Sequence, residues 1–191
     1  MGAIRGGVPI CWPWYGRHPS ENAWPSHGWA RLIDWKLLDS STDEDGVTLH
    51  WRLQLCDWQV DLHARLGEDM ELRLSTEHQD DEPCQVSQAL RAYWRIGDVA
   101  EVALSGLDGV HGYDQLNRKV CQQKGELRVE GGCQRVFQHD GEMQLNDHAW
   151  QRALSIDTGD QANTVVWHPG KRPLLGAVSY THLTLPTTER V

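Results

Sequence analysis

Hydrophobic and polar residues alternate with a period of two through the middle of the chain. Val47, Leu49, Trp51, Leu53 and Leu55 are separated by polar positions, and after Cys56-Asp57 the alternation resumes at Trp58, Val60, Leu62, Ala64 and Leu66. Met70, Leu72 and Leu74 continue it beyond the Gly67-Glu68-Asp69 turn. This period belongs to strands whose side chains point to opposite faces in turn. The three runs therefore predict successive antiparallel strands with one dry face and one wet face.

Cys84 to Ile96 is a further extended run. Val86, Leu90, Trp94 and Ile96 share one parity and Ser87, Ala89, Arg91 and Tyr93 the other, which turns Arg91 and Tyr93 away from Leu90 and Trp94. Short strands are also predicted over Val99 to Leu104, at Leu127 with Val129, at Val136 with Phe137, and over Thr164 to Trp167, with Met143 to Asp157 as a hairpin arm. Arg31 to Leu38 reads as a strand or lead-in, Asp39 to Gly46 as a polar turn, and Gly109 to Gln123 as a loop carrying Tyr113, Asp114 and Asn117. No segment holds a helical period over about ten residues. Many short strands between polar turns predict an all-β sandwich. Residues 179–191 leave the pattern, with threonines at 181, 184, 187 and 188, and are expected to pack against nothing.

The segment from Arg5 to Trp35 is different in kind. Glycines and prolines interrupt it too often for a helix, yet it holds five of the ten tryptophans, and arginines at positions 5 and 31 lie at its two ends. It reads as a long ordered loop in which indoles wall a pocket and glycines let backbone come close. Arg5 and Arg31, brought together by the loop's return, would offer two guanidinium forks to a phosphate or carboxylate. The competing reading is that the tryptophans are core and the arginines solvated.

Composition narrows the function classes. Against 18 basic residues stand 27 acidic ones, a formal charge of -9, which opposes a nucleic-acid partner and suits a soluble monomer. An anionic ligand would need a local basic pocket. Five cysteines without a CxxC spacing fit a reduced, cytoplasmic-type protein. No apolar run suggests a membrane span, and no secretory pattern opens the chain. Cys11, His18, His27 and His168 match no compact metal site, and Gly6-Gly7 and Gly131-Gly132 match no nucleotide fingerprint, so neither metal nor cofactor is expected.

The loop also carries a motif. Arg5-Gly6-Gly7-Val8-Pro9-Ile10-Cys11-Trp12-Pro13-Trp14-Tyr15-Gly16, then Ser26-His27-Gly28-Trp29-Ala30-Arg31 and Trp35, closely resembles the signature of the hexose-6-phosphate mutarotases, the glucose-6-phosphate 1-epimerase group of the aldose 1-epimerase superfamily. Ala89-Leu90, Tyr93, Gly97-Asp98, Ser105-Gly106-Leu107, Tyr113-Asp114 and Trp167 with Pro169-Gly170 are similar to further family segments, so the likeness covers roughly residues 3 to 176. It implies a galactose mutarotase-like β-supersandwich with a sugar cleft, and interconversion of the α and β anomers of glucose 6-phosphate or a related aldohexose 6-phosphate. Family members are longer. The resemblance therefore implies a domain over residues 1–178 that is truncated at both ends, with 179–191 as a non-family tail of cloning or adaptor origin.

Mutarotation opens and closes the sugar ring. A base takes the proton of the anomeric hydroxyl while an acid protonates the ring oxygen, and no metal or covalent intermediate is required. The family's acid is a histidine at the position of Arg91, and its base is a glutamate on a late strand that this chain does not reach. Arginine stays protonated and donates hydrogen bonds without cycling a proton. The resemblance further implies that Arg5 and Arg31 hold the 6-phosphate and that His27 meets a sugar hydroxyl, with a weak acid's role as a second option and ordering of the loop as the plain one. It implies that Asp114 reaches sugar hydroxyls, against the alternative of a turn aspartate. One of Trp12, Trp14 and Trp29 is expected to touch the sugar, with Trp29 the candidate carried forward, and Tyr93 shares the face of Arg91. Two functions stay open: the anomerase, and a non-catalytic sugar-phosphate binder in which Arg91 replaces the proton donor.

Overall fold

The computed structural model describes residues 6–159 and 163–170, and the backbone of a strand at His182–Arg190. Among these residues the architecture is antiparallel β, with a single 3-10 turn at Val99–Glu101.

The alternating runs fold as expected. The strands β1 (Ile10–Cys11), β2 (Lys36–Asp43), β3 (Gly46–Leu55), β4 (Trp58–Leu66) and β5 (Met70–His78) come first, and β2 to β5 form a meander of four. Strand β6 (Ser87–Arg95) follows, then β7 (Val102–Ser105), β8 (His111–Asp114), β9 (Lys119–Gln122), β10 (Leu127–Arg128) and β11 (Gly132–Phe137). The hairpin β12 (Glu142–Asp147) and β13 (Arg152–Asp157) precedes β14 (Asn163–Pro169) and β15 (His182–Arg190). A seven-stranded sheet runs in the order β1-β6-β15-β14-β11-β8-β9, and a second four-stranded sheet in the order β10-β7-β12-β13. The molecule is a galactose mutarotase-like β-sandwich.

The even residues of β6, with Ile96 just beyond its end, are the hinge of the packing. Trp94 and Ile96 join Val102, Leu104, Phe137, Leu145 and Val166 in one core, between the large sheet and the β7-β12 sheet. Leu90 joins a second core with Trp12, Ala30, Leu53, Val60 and Trp58, beneath the β2 to β5 meander. One face of β6 is thus committed to apolar burial, and the opposite face, that of Arg91 and Tyr93, is left for chemistry.

Four expectations are corrected. Asp39 to Asp43 are strand rather than turn. They belong to β2, an edge strand exposed along its whole length, and a strand wet on both faces shows no alternation. Gly109 to Gln123 holds the hairpin β8-β9 at the rim of the large sheet, where Tyr113 and Val120 are exposed and the same signal is missing. Met143 to Asp157 is both arms of a hairpin, not one. Within residues 179–191, expected to pack against nothing, the backbone of β15 lies between β6 and β14. That slot has unpaired ladder groups on both sides, and a threonine-rich extended segment fits it.

Candidate functional site

The tryptophan-rich loop is laid along β6 by backbone pairing. Ile10 pairs with Leu90 and Cys11 with Ala89. The ladder extends outward as the Arg91 and Tyr93 N–H groups donate to the carbonyls of Pro9 and Gly7, both at 3.0 Å. Beyond Pro13 the loop turns over the free face of β6, where the Tyr15 N–H donates to Ser87 Oγ at 2.9 Å. The return limb is pinned where the Trp29 and Ala30 N–H groups donate to the Trp12 carbonyl, at 2.8 and 3.2 Å. Gly28 makes this approach possible. Its φ is +73°, and a Cβ there would lie 2.0 Å from the Trp12 oxygen.

His27 sits at the apex of the return with φ 67°, a conformation that non-glycine residues adopt only under constraint. The constraint is a reciprocal clasp with Gly16. The His27 N–H donates to the Gly16 carbonyl at 2.6 Å, and the Gly16 N–H donates to His27 Nδ1 at 3.1 Å. With Nδ1 accepting, the ring proton resides on Nε2. Burial, then the charges of Arg91 and Arg31, push the imidazole down to about 4, so it is neutral at physiological pH. Acid action as an imidazolium is excluded there, and what His27 offers is an Nε2–H donor. Its Nδ1 orders the loop by accepting from the Gly16 backbone N–H.

Arg91 and Arg31 approach this histidine from different supports. The Arg91 guanidinium lies over the Tyr93 ring at 5.1 Å and over the Trp167 ring at 4.8 Å, crossing β15 to reach β14. Its Nε is buried without a hydrogen-bond partner among the described residues. Arg31 is on the loop's exposed rim, and its guanidinium donates to the Ser26 carbonyl. Both cations also act on Cys11, whose thiol burial nonetheless raises to about 11. Burial likewise raises Tyr15 to about 12, with Arg91 opposing it and Cys11 and Tyr93 adding to it. Neither Arg31 nor Arg91 has a carboxylate partner among the described residues, and the same holds for Arg17, Arg95 and Arg118, whereas Arg52, Arg65, Arg73, Arg128, Arg135 and Arg152 each have one. Arg5 lies outside the described residues.

Other predicted residues are placed elsewhere. Asp114 is only 4% exposed and shares the face of its register partner Arg135, opposite to that of Trp167 and its neighbour Gln134. Its carboxylate accepts from the Leu116 and Asn117 N–H groups and the Asn117 amide, and pairs with Arg135 Nε at 3.4 Å. These contacts are those of a turn aspartate and leave no oxygen turned to the cleft. Trp12 is 0% exposed and packs edge-on to Trp58, so it is core. Trp14, at 7%, is enclosed by Trp24, Trp29 and His18. Trp29, half-buried, keeps an accessible part.

Sequence reasoning missed Trp167 as a site residue. Its odd parity on β14, opposite the core residues Val166 and His168, was the available signal. Three residues of two motif segments are structural. Gly97 has no room for a Cβ beside Ala149, and its N–H donates to the buried Asp147; Asp98 caps the 3-10 turn; and Gly106 has φ +101° against the Glu142 carbonyl. Among the described residues no group of three histidine, cysteine or acidic side chains could hold a metal ion, and no helix is long and apolar enough to cross a membrane.

A family model described as aldose 1-epimerase matches residues 2–188. The chain belongs to the aldose 1-epimerase family. The match runs into β15 and so into the segment read from sequence as a non-family tail. Within this family the chain is 32% identical over 184 residues to an Escherichia coli (strain K12) protein named "putative glucose-6-phosphate 1-epimerase"; the alignment takes in 88% of this chain and 59% of that protein. The crystal structure of a "putative mutarotase" from Salmonella typhimurium superposes with a TM-score of 0.86 at 27% identity, covering 98% of this chain and 68% of that one. A protein of Synechocystis sp. PCC 6803 shares the fold, with a TM-score of 0.80 at 17% identity over 97% of this chain and 68% of that one. The chain thus spans about three fifths of the length of the curated relative it matches.

Proposed function

We propose that the cleft over β6 recognises an aldohexose 6-phosphate and serves the interconversion of its α and β anomers. The observation that carries this reading is the pair of guanidinium groups, Arg31 and Arg91, whose charges both act on the neutral His27 imidazole and neither of which has a carboxylate partner among the described residues. In a chain with a formal charge of -9, such a cluster is held for an anionic ligand. The relatives' names supply the sugar phosphate. Arg31 on the rim takes the phosphate, with Arg5 as its partner in the proposal. The sugar ring lies across Trp167 and Trp29, whose faces suit its C–H side, and His27 Nε2–H donates to a hydroxyl.

When the ring opens, electron density moves onto the ring oxygen. Arg91 stabilises that charge by donating hydrogen bonds but keeps its own protons, so proton delivery must come from water or from another group. The same property favours a second reading, a sugar-phosphate binder with little turnover. The discriminating experiment is Arg91→His, read by magnetisation exchange between the anomers of glucose 6-phosphate. If proton transfer runs at this position the rate rises by about 10². An unchanged rate, with binding retained, means that proton transfer does not run through this position.

A further inference from the structure

Arg91 is more than a silent replacement at a proton-transfer position. Its guanidinium carbon lies over two aromatic rings, 5.1 Å from the centroid of Tyr93 and 4.8 Å from that of Trp167. Its Nε is buried and donates to nothing among the described residues. A buried donor of that kind is costly unless a ligand completes it. The described arginines that pair with acids lie on the meander and on β10, β11 and β13, while this one, on β6, has no acid beside it among the described residues.

Arg31 does not duplicate it. Arg91 rises from a strand of the large sheet and leans toward β14 on the cleft floor, whereas Arg31 hangs from the loop and is tethered to the Ser26 carbonyl on the exposed rim. Both cations bear on the same imidazole, which carries no charge to offset them. Floor and rim are two cationic positions flanking one aromatic-lined space. A ligand with a single anionic group satisfies one of them and leaves the other uncompensated.

We propose that Arg91 forms a second anion-binding position, so that the cleft takes a sugar carrying two anionic groups, a hexose bisphosphate or a phosphorylated sugar acid, ahead of a hexose monophosphate. This rests on the reading above only in that the rim position takes a sugar phosphate. The test is calorimetric titration of the whole chain with glucose 6-phosphate, glucose 1,6-bisphosphate, 6-phosphogluconate and inorganic phosphate, repeated on Arg91→Met. The chain is expected to bind one or both of the doubly anionic sugars about tenfold more tightly than glucose 6-phosphate. Arg91→Met should abolish that preference, weakening the doubly anionic sugars about tenfold more than it weakens glucose 6-phosphate. Arg91→Gln serves the same comparison if Arg91→Met does not fold. Equal affinity for singly and doubly anionic sugars, or equal weakening of all of them by the substitution, overturns the proposal. Failure of the rim reading looks different: glucose 6-phosphate binding would be undetectable or indifferent to Arg31→Ala, while an Arg91-dependent preference for the doubly anionic sugars would still stand.

Discussion

The clasp between His27 and Gly16 ties the electrostatics of the cleft to stability. The imidazole, normally titrating near 6.5, is held at about 4 in the folded chain. Between those two values the unfolded chain binds a proton that the folded chain does not, so stability rises with pH through this window and is lost as pH falls from about 6.5 toward 4. Replacing His27 by Asn, which tolerates positive φ and does not titrate, should flatten the dependence of melting temperature on pH between 6.5 and 4.5. A slope as steep as before would place the acid sensitivity elsewhere. Asp114 has the same sign at lower pH: its hydrogen bonds with Asn117, then Arg135 and Leu116, hold its carboxyl below the usual range, and that stabilisation is lost only in stronger acid. Asp114→Ala should cost about 3 kcal/mol in urea unfolding and leave sugar-phosphate affinity unchanged. A selective loss of affinity would return Asp114 to the site. Residue types and a motif singled out Arg31, Arg91 and His27 in the sequence, but the turn contacts of Asp114 were not legible there, because a turn-capping carboxylate and a ligand-binding one look alike until its donors are known.

At the scale of elements, what was legible followed burial. Strand β5 alternates exposed and half-buried residues, while β3 and β4 keep the same sequence period with Leu53, Val60 and Ala64 buried on one face and a largely half-buried polar face, and this alternation predicts them closely. Strand β2 and the hairpin β8-β9 are exposed at the edges of their sheets, and β15 lies in a segment set aside as tail. Each is a strand because a neighbour offers it hydrogen bonds, which no local pattern encodes. The loop is the reverse case: its importance was plain in its composition, but the pairing of Gly7 to Cys11 along β6 needed the structure. Its closure depends on Gly28 lying against the Trp12 carbonyl. Gly28→Ala would face both a left-handed backbone and that oxygen, and should destabilise the chain by about 2 kcal/mol or more while impairing sugar-phosphate binding. Full stability with intact binding would show that the return limb is not held as described.

For the whole molecule, the opposition between global and local charge organises function. An excess of 27 acidic over 18 basic residues repels anions at long range, yet two arginines in the cleft are left without acid partners among the described residues. Attraction is therefore short-ranged and should weaken with added salt, most of all for the exposed Arg31. The sandwich supplies the rigidity: apolar cores occupy one face of β6 and leave the other to the ligand. The most direct measurement of this account is calorimetric titration of glucose 6-phosphate and glucose into the chain and into Arg31→Ala. The account predicts that glucose 6-phosphate binding weakens by about tenfold to a hundredfold while glucose binding is unchanged. Equal weakening of both ligands, or none of either, would contradict it.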